Sequence, residues 1–364
     1  MHWKDWRNRL VADPRFQSFA ARFPLTKPIA NAKARQAFDL AAGFVYSQVL
    51  LACVELDLLE QLRDGPRHAH GLAQASSLTP EAMDRLLLAA ASLDLVERRG
   101  EGLWGLGMAG AALLGNPGAL AMVAHHKLVY RDLADPVALL RHGPSSEGLA
   151  RFWAYARQEQ RGAITDSEVA EYSTLMDRSQ TLVRQDVLDF FSLAGVQSLM
   201  DVGGGEGGFC LAASERYPQL HGLCLDLPAV ARRAQARFEA AGRADRFSAK
   251  GCDFKAQELP SGADLVTLVR VLHDHDDGPA LDLLRAIRRA LTPGGRLLIA
   301  EPMSGASGAE PMGDAYFGFY LMAMGSGRPR LSQEISNMLR QAGFGTIRPI
   351  KTPRPLLVSL VEAS

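Results

Sequence analysis

His273 is the residue from which a reaction is most readily built. It lies in Val269-Arg270-Val271-Leu272-His273-Asp274-His275-Asp276-Asp277, directly after an apolar run that reads as a strand. Imidazole is the side chain best suited to moving a proton near neutral pH. Further along, Ile299-Ala300-Glu301-Pro302 ends the next apolar run. Neighbouring strand ends bring Glu301 to His273, where a carboxylate would orient the ring and stabilise its charged form; the rival reading is a plain strand-end carboxylate. The spacing His273-x-His275-x-Asp277 also resembles the opening of a metal-ligand set. No histidine follows His275 to complete it, so no metal is expected and His275 reads as an aromatic lid beside a single base.

A second constellation lies upstream. Ser198-Leu199-Met200-Asp201-Val202 runs into Gly203-Gly204-Gly205-Glu206-Gly207-Gly208. Glycines are required where a ligand approaches the backbone and the turn needs permissive dihedrals. Gly203, Gly205 and Gly208 satisfy the dinucleotide fingerprint, which alone is weak. Asp201 tips the balance, because a carboxylate at the strand end suits the cationic amino-acid end of S-adenosylmethionine better than a pyrophosphate. Asp226, in Cys224-Leu225-Asp226-Leu227-Pro228, ends the next strand and can accept from both ribose hydroxyls. Its bland alternative is an N-cap for the helix after Pro228. Asp253 and Phe254 close the following strand and could hold an adenine by its amine and ring face, or be a loop aspartate and a core phenylalanine. Leu227, Arg270 and His275 complete the expected cofactor contacts.

These groups need a scaffold. Apolar runs at Leu199–Val202, Leu223–Leu225, Leu265–Val269 and Leu297–Ala300 alternate with helical stretches at Phe209–Arg216, Ala229–Ala241 and Pro279–Leu291. That alternation specifies a parallel sheet with helices on both faces. Phe344–Ile350 and Leu356–Val361 are joined by a link too short for a helical crossover, so they should pair antiparallel. The expected fold is an α/β class I methyltransferase sheet with an antiparallel C-terminal hairpin over residues 189–364. Residues 1–188 read as a helical domain. Within it, Gly71–Ser77 and the helix after Thr79-Pro80-Glu81 precede a ribbon at Leu95–Arg98 and Leu103–Leu106, a winged-helix arrangement.

Composition bounds the partners. Of 364 residues, 40 are basic and 40 acidic, so the formal net charge of zero argues against phosphate-backbone binding. The would-be recognition helix, Pro80 to Leu93, carries one basic residue, Arg85, so the wing is expected to pack and not to read DNA. Cys53, Cys210, Cys224 and Cys252 form no CxxC pair, so reduced thiols are expected. No repeat, low-complexity segment or signal peptide is readable, and a cytoplasmic location is expected. The uncharged stretch Leu40–Val54 has 15 residues, fewer than the roughly 20 a bilayer span needs. It reads as a buried helix at a domain or subunit interface. No integral span is expected; peripheral membrane contact stays open.

DVGGGEG (201–207), LDLP (225–228), LHDHDD (272–277) and AEP (300–302) resemble the O-methyltransferases of the plant caffeic-acid and bacterial polyketide type. The resemblance covers nearly the full length. It implies a helical N-terminal dimerisation domain carrying the winged helix, a homodimer and S-adenosylmethionine as cofactor. By resemblance His273 is the base, Glu301 its partner, Asp226 the ribose holder and Ser179 a cofactor contact. Three positions depart from the family pattern: His275 replaces a tryptophan, Cys252 replaces an aspartate displaced to Asp253, and Pro329 replaces a second glutamate.

Trp6–Leu10, Asp13–Phe16, Arg22–Thr26 and Ala42–Gln48 look like the N-terminal signature of the bacterial carotenoid hydroxyl methyltransferases. That likeness implies methylation of the tertiary 1-hydroxyl of an acyclic hydroxycarotenoid in photosynthetic bacteria. The segment 316–324 fits such a hydrophobic small-molecule substrate, with Phe317, Tyr320 and Met324 as its wall, or else is a core helix. The alternatives are another hydrophobic acceptor, a polyketide phenol or a tetrapyrrole carbon, and a winged-helix regulator that senses S-adenosylmethionine.

Overall fold

A computed structural model describes residues 2–145, 148–152, 174–253, 258–355 and 357–364. The chain divides into two compact units, Met1–Gly115 and Asn116–Ser364.

The first unit opens with α1 (Trp3–Ala12), α2 (Pro14–Arg22) and α3 (Lys27–Glu55), followed by α4 (Leu58–Gln61). Asp13 accepts from Arg15 N and caps α2, whose first residue is Pro14. The winged helix then forms as the sequence indicates. It comprises β1 (Arg67–His68), α5 (Ala69–Ala75), α6 (Pro80–Ser92), β2 (Val96–Gly100) and β3 (Leu103–Leu106), closed by α7 (Met108–Leu114). Thr79 Oγ1 accepts from Ala82 N to cap α6, and β1 adds a third strand on the far edge of β3.

Within a single chain Leu40–Val54 is for the most part not buried, so of the two expected interfaces the one with a second subunit is what would bury it. The stretch lies inside the 29-residue α3, and only Leu51 and Cys53 of that helix are buried. Phe38, Leu40 and Phe44 are more than half exposed, because α2, α4 and α6 cover only part of the girth of α3. The run of uncharged residues also understates the helix, which continues back past Asp39 to Lys27. By length and composition alone α3 could cross a membrane.

The second unit begins with α8 (Pro117–Asp132), α9 (Pro136–His142), α10 (Leu149–Phe152) and α11 (Thr181–Phe190). Its division from the first unit falls well before 188/189. The reason is shared packing: Val129 of α8 belongs to one core with Tyr320, Leu321 and Met324.

From β4 (Ser198–Val202) onward the α/β pattern is regular. The elements are α12 (Gly208–Arg216), β5 (His221–Asp226), α13 (Pro228–Ala240), β6 (Phe247–Gly251), β7 (Ala263–Val269), α14 (Asp277–Ala290) and β8 (Leu291–Glu301). After them come α15 (Gly318–Met324), α16 (Ser332–Gln341), β9 (Ile347–Ile350) and β10 (Ser359–Ala363). The strand order is β6-β5-β4-β7-β8-β10-β9. β4 pairs parallel with both β5 and β7, and β10 pairs antiparallel with β8 and β9. Successive strand residues serve opposite faces: Met200 and Val202 pack with Leu284 and Ile287 of α14, while Leu199 packs with Phe209 of α12 and Phe238 of α13. The order reverses beside β4, so the crevice for a ligand opens at the carboxyl ends of β4, β5 and β7.

Candidate active site

The glycine turn after β4 exists because its backbone must bend where side chains would collide. Gly203 has φ +70°, and a Cβ there would lie 2.7 Å from Val271 Cγ2. At Gly204 a Cβ would lie 2.5 Å from Asp201 Oδ2 and 2.7 Å from Cys224 Sγ. The turn is tied to the end of β5: Gly205 N donates to Asp226 Oδ2 at 2.8 Å, and Leu227 N donates to Asp226 Oδ1 at 2.7 Å. Asp226 is buried and lines the hollow, and the N-cap position of α13 is taken by Leu227. A carboxylate oxygen can accept more than one hydrogen bond, the capacity a ligand hydroxyl would use.

Asp201 sits elsewhere than expected. It lies behind the glycine turn, 1% exposed, and is not among the residues that line the hollow. Its Oδ1 accepts from Thr267 Oγ1 at 2.6 Å, and its Oδ2 has no hydrogen-bond partner among the described residues. Burial lifts its carboxyl up to about 7, against the opposing pull of the Thr267 hydroxyl.

The 3₁₀ turn Leu272–Asp274 carries His273 from the end of β7. His273 Nδ1 hydrogen-bonds Glu301 Oε2, while Glu301 Oε1 accepts from the backbone N–H groups of Val271 (3.0 Å) and Leu272 (2.6 Å). The expected pairing of these strand ends therefore forms. His273 Nε2 lies 3.1 Å from Asp274 Oδ1. Burial opposes charging this ring, but the carboxylates of Glu301 and Asp274 outweigh it and hold His273 raised at about 9.

A loop that the sequence analysis passed over clamps this turn. Buried Arg330 donates to Leu272 O at 2.9 Å, to His275 O at 2.6 Å and to Asp277 Oδ1. Ser326 Oγ donates to Asp274 O, and Gly327 N donates to Asp276 Oδ1, both at 3.0 Å. Gly327 has φ +81°, and a Cβ there would overlap the carbonyl oxygen of His273. The available signal is Gly327 and Arg330 on either side of Pro329.

The other expected residues are distributed as follows. Arg270 lines the hollow in a left-handed conformation (φ 58°), its guanidinium 5.4 Å from the Phe317 ring centroid. Phe317 and Tyr320 line the hollow, whereas Met324 is buried in the core beside them. His275 is 5% exposed and does not line the hollow, and neither do Leu227 and Asp253. Phe254 lies outside the described residues. Ser179 donates to Met176 O at 2.9 Å and turns away; Asp177 and Gln180 of the same segment line the hollow instead.

Two histidines of α8 also went unread. His126 Nε2 lies 2.7 Å from the Tyr316 hydroxyl, and His125 Nε2 lies 3.1 Å from the Tyr320 hydroxyl. Burial drives His125 down to about 4, with His126 adding to the shift, so it is neutral at pH 7. Burial pushes the Tyr316 phenol up to about 12. The wall beside Phe317 is thus aromatic and polar at its tips, with the Arg270 guanidinium over the Phe317 ring. Among the described residues, no group of three or more His, Cys, Asp or Glu is placed to hold a metal ion.

Comparison with known proteins agrees with this architecture. Residues 130–345 match the O-methyltransferase domain, and residues 38–116 match the O-methyltransferase dimerisation domain. The chain is 45% identical over 356 residues to a demethylspheroidene O-methyltransferase of Cereibacter sphaeroides, covering 98% of this chain and 93% of that one. A protein of the same name from Rhodobacter capsulatus is 41% identical, with 98% and 88% covered. Among solved structures, human N-acetylserotonin methyltransferase in complex with S-adenosylmethionine shares the fold, with a TM-score of 0.76 at 24% identity over 91% of this chain and 97% of that one. CalO1, a methyltransferase of calicheamicin biosynthesis in its S-adenosylhomocysteine-bound form, superposes with a TM-score of 0.75 at 25% identity, covering 91% and 98%. A glycine turn bound to Asp226, an orphan carboxylate oxygen behind it and a carboxylate–histidine pair at the next strand ends all suit a cationic nucleoside and an acceptor hydroxyl. With that site inside the matched domain, the chain belongs to the O-methyltransferase family, as an S-adenosylmethionine-dependent O-methyltransferase.

Proposed function

We propose that this enzyme methylates the tertiary 1-hydroxyl of an acyclic hydroxycarotenoid, with His273 as general base. The base assignment rests on one observation: His273 is buried, bonded through Nδ1 to Glu301, and lines the same hollow as Asp226 and Phe317. The acceptor assignment rests on the near-full-length similarity to the two demethylspheroidene O-methyltransferases.

Asp226 would hold the ribose hydroxyls, with the turn at Gly203 and Gly205 admitting the nucleoside close to the backbone and Gln180 and Arg270 on the rim. Asp201 acts from behind the turn, where burial holds its carboxyl at about 7 and a bound cation would favour its charged form. S-adenosylmethionine bound in this site supplies an electrophilic methyl group on a sulfonium. Glu301 fixes the tautomer of His273, so that Nε2 is the nitrogen available to the acceptor. An acceptor hydroxyl would take the place of Asp274 at Nε2 and give its proton to that nitrogen as its oxygen takes up the methyl, the methyl–sulfur bond breaking with its electron pair left on a neutral thioether. A tertiary alcohol is less acidic than a phenol, whose pKa is about 10. Its proton therefore leaves during attack and not before. The aromatic wall of Phe317 and Tyr320, backed by the histidines of α8, would limit water at that step. The matched dimerisation domain supports a homodimer, and the exposed apolar residues of α3 from Phe38 onward supply a face for it.

The test is methylation by purified enzyme with labelled S-adenosylmethionine against acyclic 1-hydroxycarotenoids, plant-type phenols and tetrapyrroles. Turnover of the carotenoids above the other acceptors is the expected result. Preference for a phenol or a tetrapyrrole overturns the substrate assignment.

A further inference from the structure

Residues 1–37 precede the matched dimerisation domain and differ in charge from everything after them. They carry eight basic and two acidic side chains, a formal charge of +6 in a chain whose total is zero. They also carry an unusual set of solvent-facing apolar groups. Trp3 is 65% exposed, Phe19 56%, Leu25 79% and Ile29 65%, and Trp6, Val11 and Phe23 are exposed as well. Ala20 is the only buried residue of α1 and α2.

The arrangement is ordered. In α1, Trp3, Trp6 and Leu10 recur at helical spacing, with Lys4, Arg7 and Arg9 on the flanks. In α2, Phe19 and the following Phe23 line one shallow groove together with Arg15, Ser18 and Arg22, so that aromatic and basic side chains flank one another, while Phe16 is half-buried toward α3. The Trp3 and Trp6 rings stack with centroids 5.1 Å apart, and those of Phe19 and Phe23 lie 5.3 Å apart. Exposed tryptophan and phenylalanine flanked by arginine and lysine suit a helix lying in a bilayer interface, where the rings enter and the basic side chains snorkel to the headgroups.

From this we infer that α1, α2 and the first turns of α3 form a docking surface for an anionic lipid bilayer, lying in its headgroup plane. Charge complementarity selects this occupant. A second copy would bring +6 against +6, whereas a surface of acidic lipids attracts each basic side chain by an amount worth about a fivefold gain in binding. α3 as a whole is long enough to span, but its charges disfavour it. Lys33, Arg35 and Asp39 interrupt the start of α3, and the uncharged run Leu40–Val54 reaches only about 22 Å of a core about 30 Å thick. The inference does not depend on which acceptor is methylated.

The experiment is flotation of the full-length enzyme with vesicles of phosphatidylcholine alone and of phosphatidylcholine with roughly one-third phosphatidylglycerol. Cofactor affinity and light scattering monitor fold and oligomeric state. Wild type should float with the anionic vesicles, stay behind with the neutral ones and be released by salt. Arg7→Gln, Arg9→Gln, Arg15→Gln and Arg22→Gln combined should weaken partitioning by about 100- to 1000-fold. Trp3→Ser, Trp6→Ser and Phe19→Ser combined should weaken it at least about tenfold. Both variants should keep wild-type cofactor affinity and oligomeric state. Failure of the folded wild type to float, or flotation unchanged in both variants, overturns the inference. So does dissociation of the aromatic variant into monomers without any vesicle binding by wild type, which assigns the face to a second copy.

Discussion

On the glycine-turn side of the hollow, consecutive strand ends meet through backbone groups: Gly205 N and Leu227 N both donate to Asp226. On the Phe317 side, the contacts join side chains 195 and 190 residues apart, His125 to Tyr320 and His126 to Tyr316. His273 stands between them, its imidazole held by Glu301 and its backbone turn by Arg330. The difference separates two tasks. A shared cofactor demands backbone precision, which a local motif can encode. An acceptor demands a shaped wall, which needs elements that only folding brings together.

The comparison breaks first at the residue between the two sides. His273→Ala should cost about 10²–10⁴ in single-turnover methylation, the usual worth of general-base catalysis. Cofactor affinity should stay nearly unchanged. Turnover at the wild-type rate would show that proximity alone suffices. Glu301→Gln should cost less, because its remaining oxygen still accepts from Val271 and Leu272 while its amide misorients the ring.

The glycine-turn side is tested by Asp226→Ala. Losing hydrogen bonds to a charged group should weaken S-adenosylmethionine binding by about 1.5–3 kcal/mol in calorimetry. The nicotinamide dinucleotide NAD should bind to neither form, and tight NAD binding would contradict S-adenosylmethionine as the occupant of this hollow, since both carry the ribose hydroxyls that Asp226 would hold.

A third test uses pH. The base works as neutral imidazole, and in the free enzyme His273 is raised to about 9. The acid limb of kcat/KM should therefore climb toward pH 9. Asp274→Asn removes one of the carboxylates that hold the ring charged, so the limb should move to lower pH and activity at pH 7 should rise. An unmoved limb would mean that the rate follows another group. Stability runs the opposite way. The folded state binds this proton more tightly than the unfolded chain, so the contribution is complete below pH 6.5 and fades as pH rises through about 9.

The smallest effect is expected on the aromatic wall. Tyr320→Phe removes a hydroxyl shared with His125 and should cost about 0.5–1.5 kcal/mol. The loss should appear as a higher acceptor KM with kcat almost unchanged. A fall in kcat alone would place Tyr320 in the chemistry and not in the wall.

The strands, their order of use and the His273–Glu301 pairing were legible in the sequence, because each follows from a local run whose period or spacing has one structural solution. The glycine turn and Asp226 were legible for the same reason. The burial of Asp201 behind the turn, the withdrawal of His275 from the hollow and the substitution of Asp177 and Gln180 for Ser179 were not. Those outcomes depend on which way a side chain faces after its strand or helix is packed, and a shift of one residue reverses it. The Arg330 clamp and the histidine–tyrosine pairs of α8 and the segment 316–320 came from tertiary structure alone. Their partners are distant in the chain, and no local pattern encodes a contact that forms only when two separate helices are brought against one cavity.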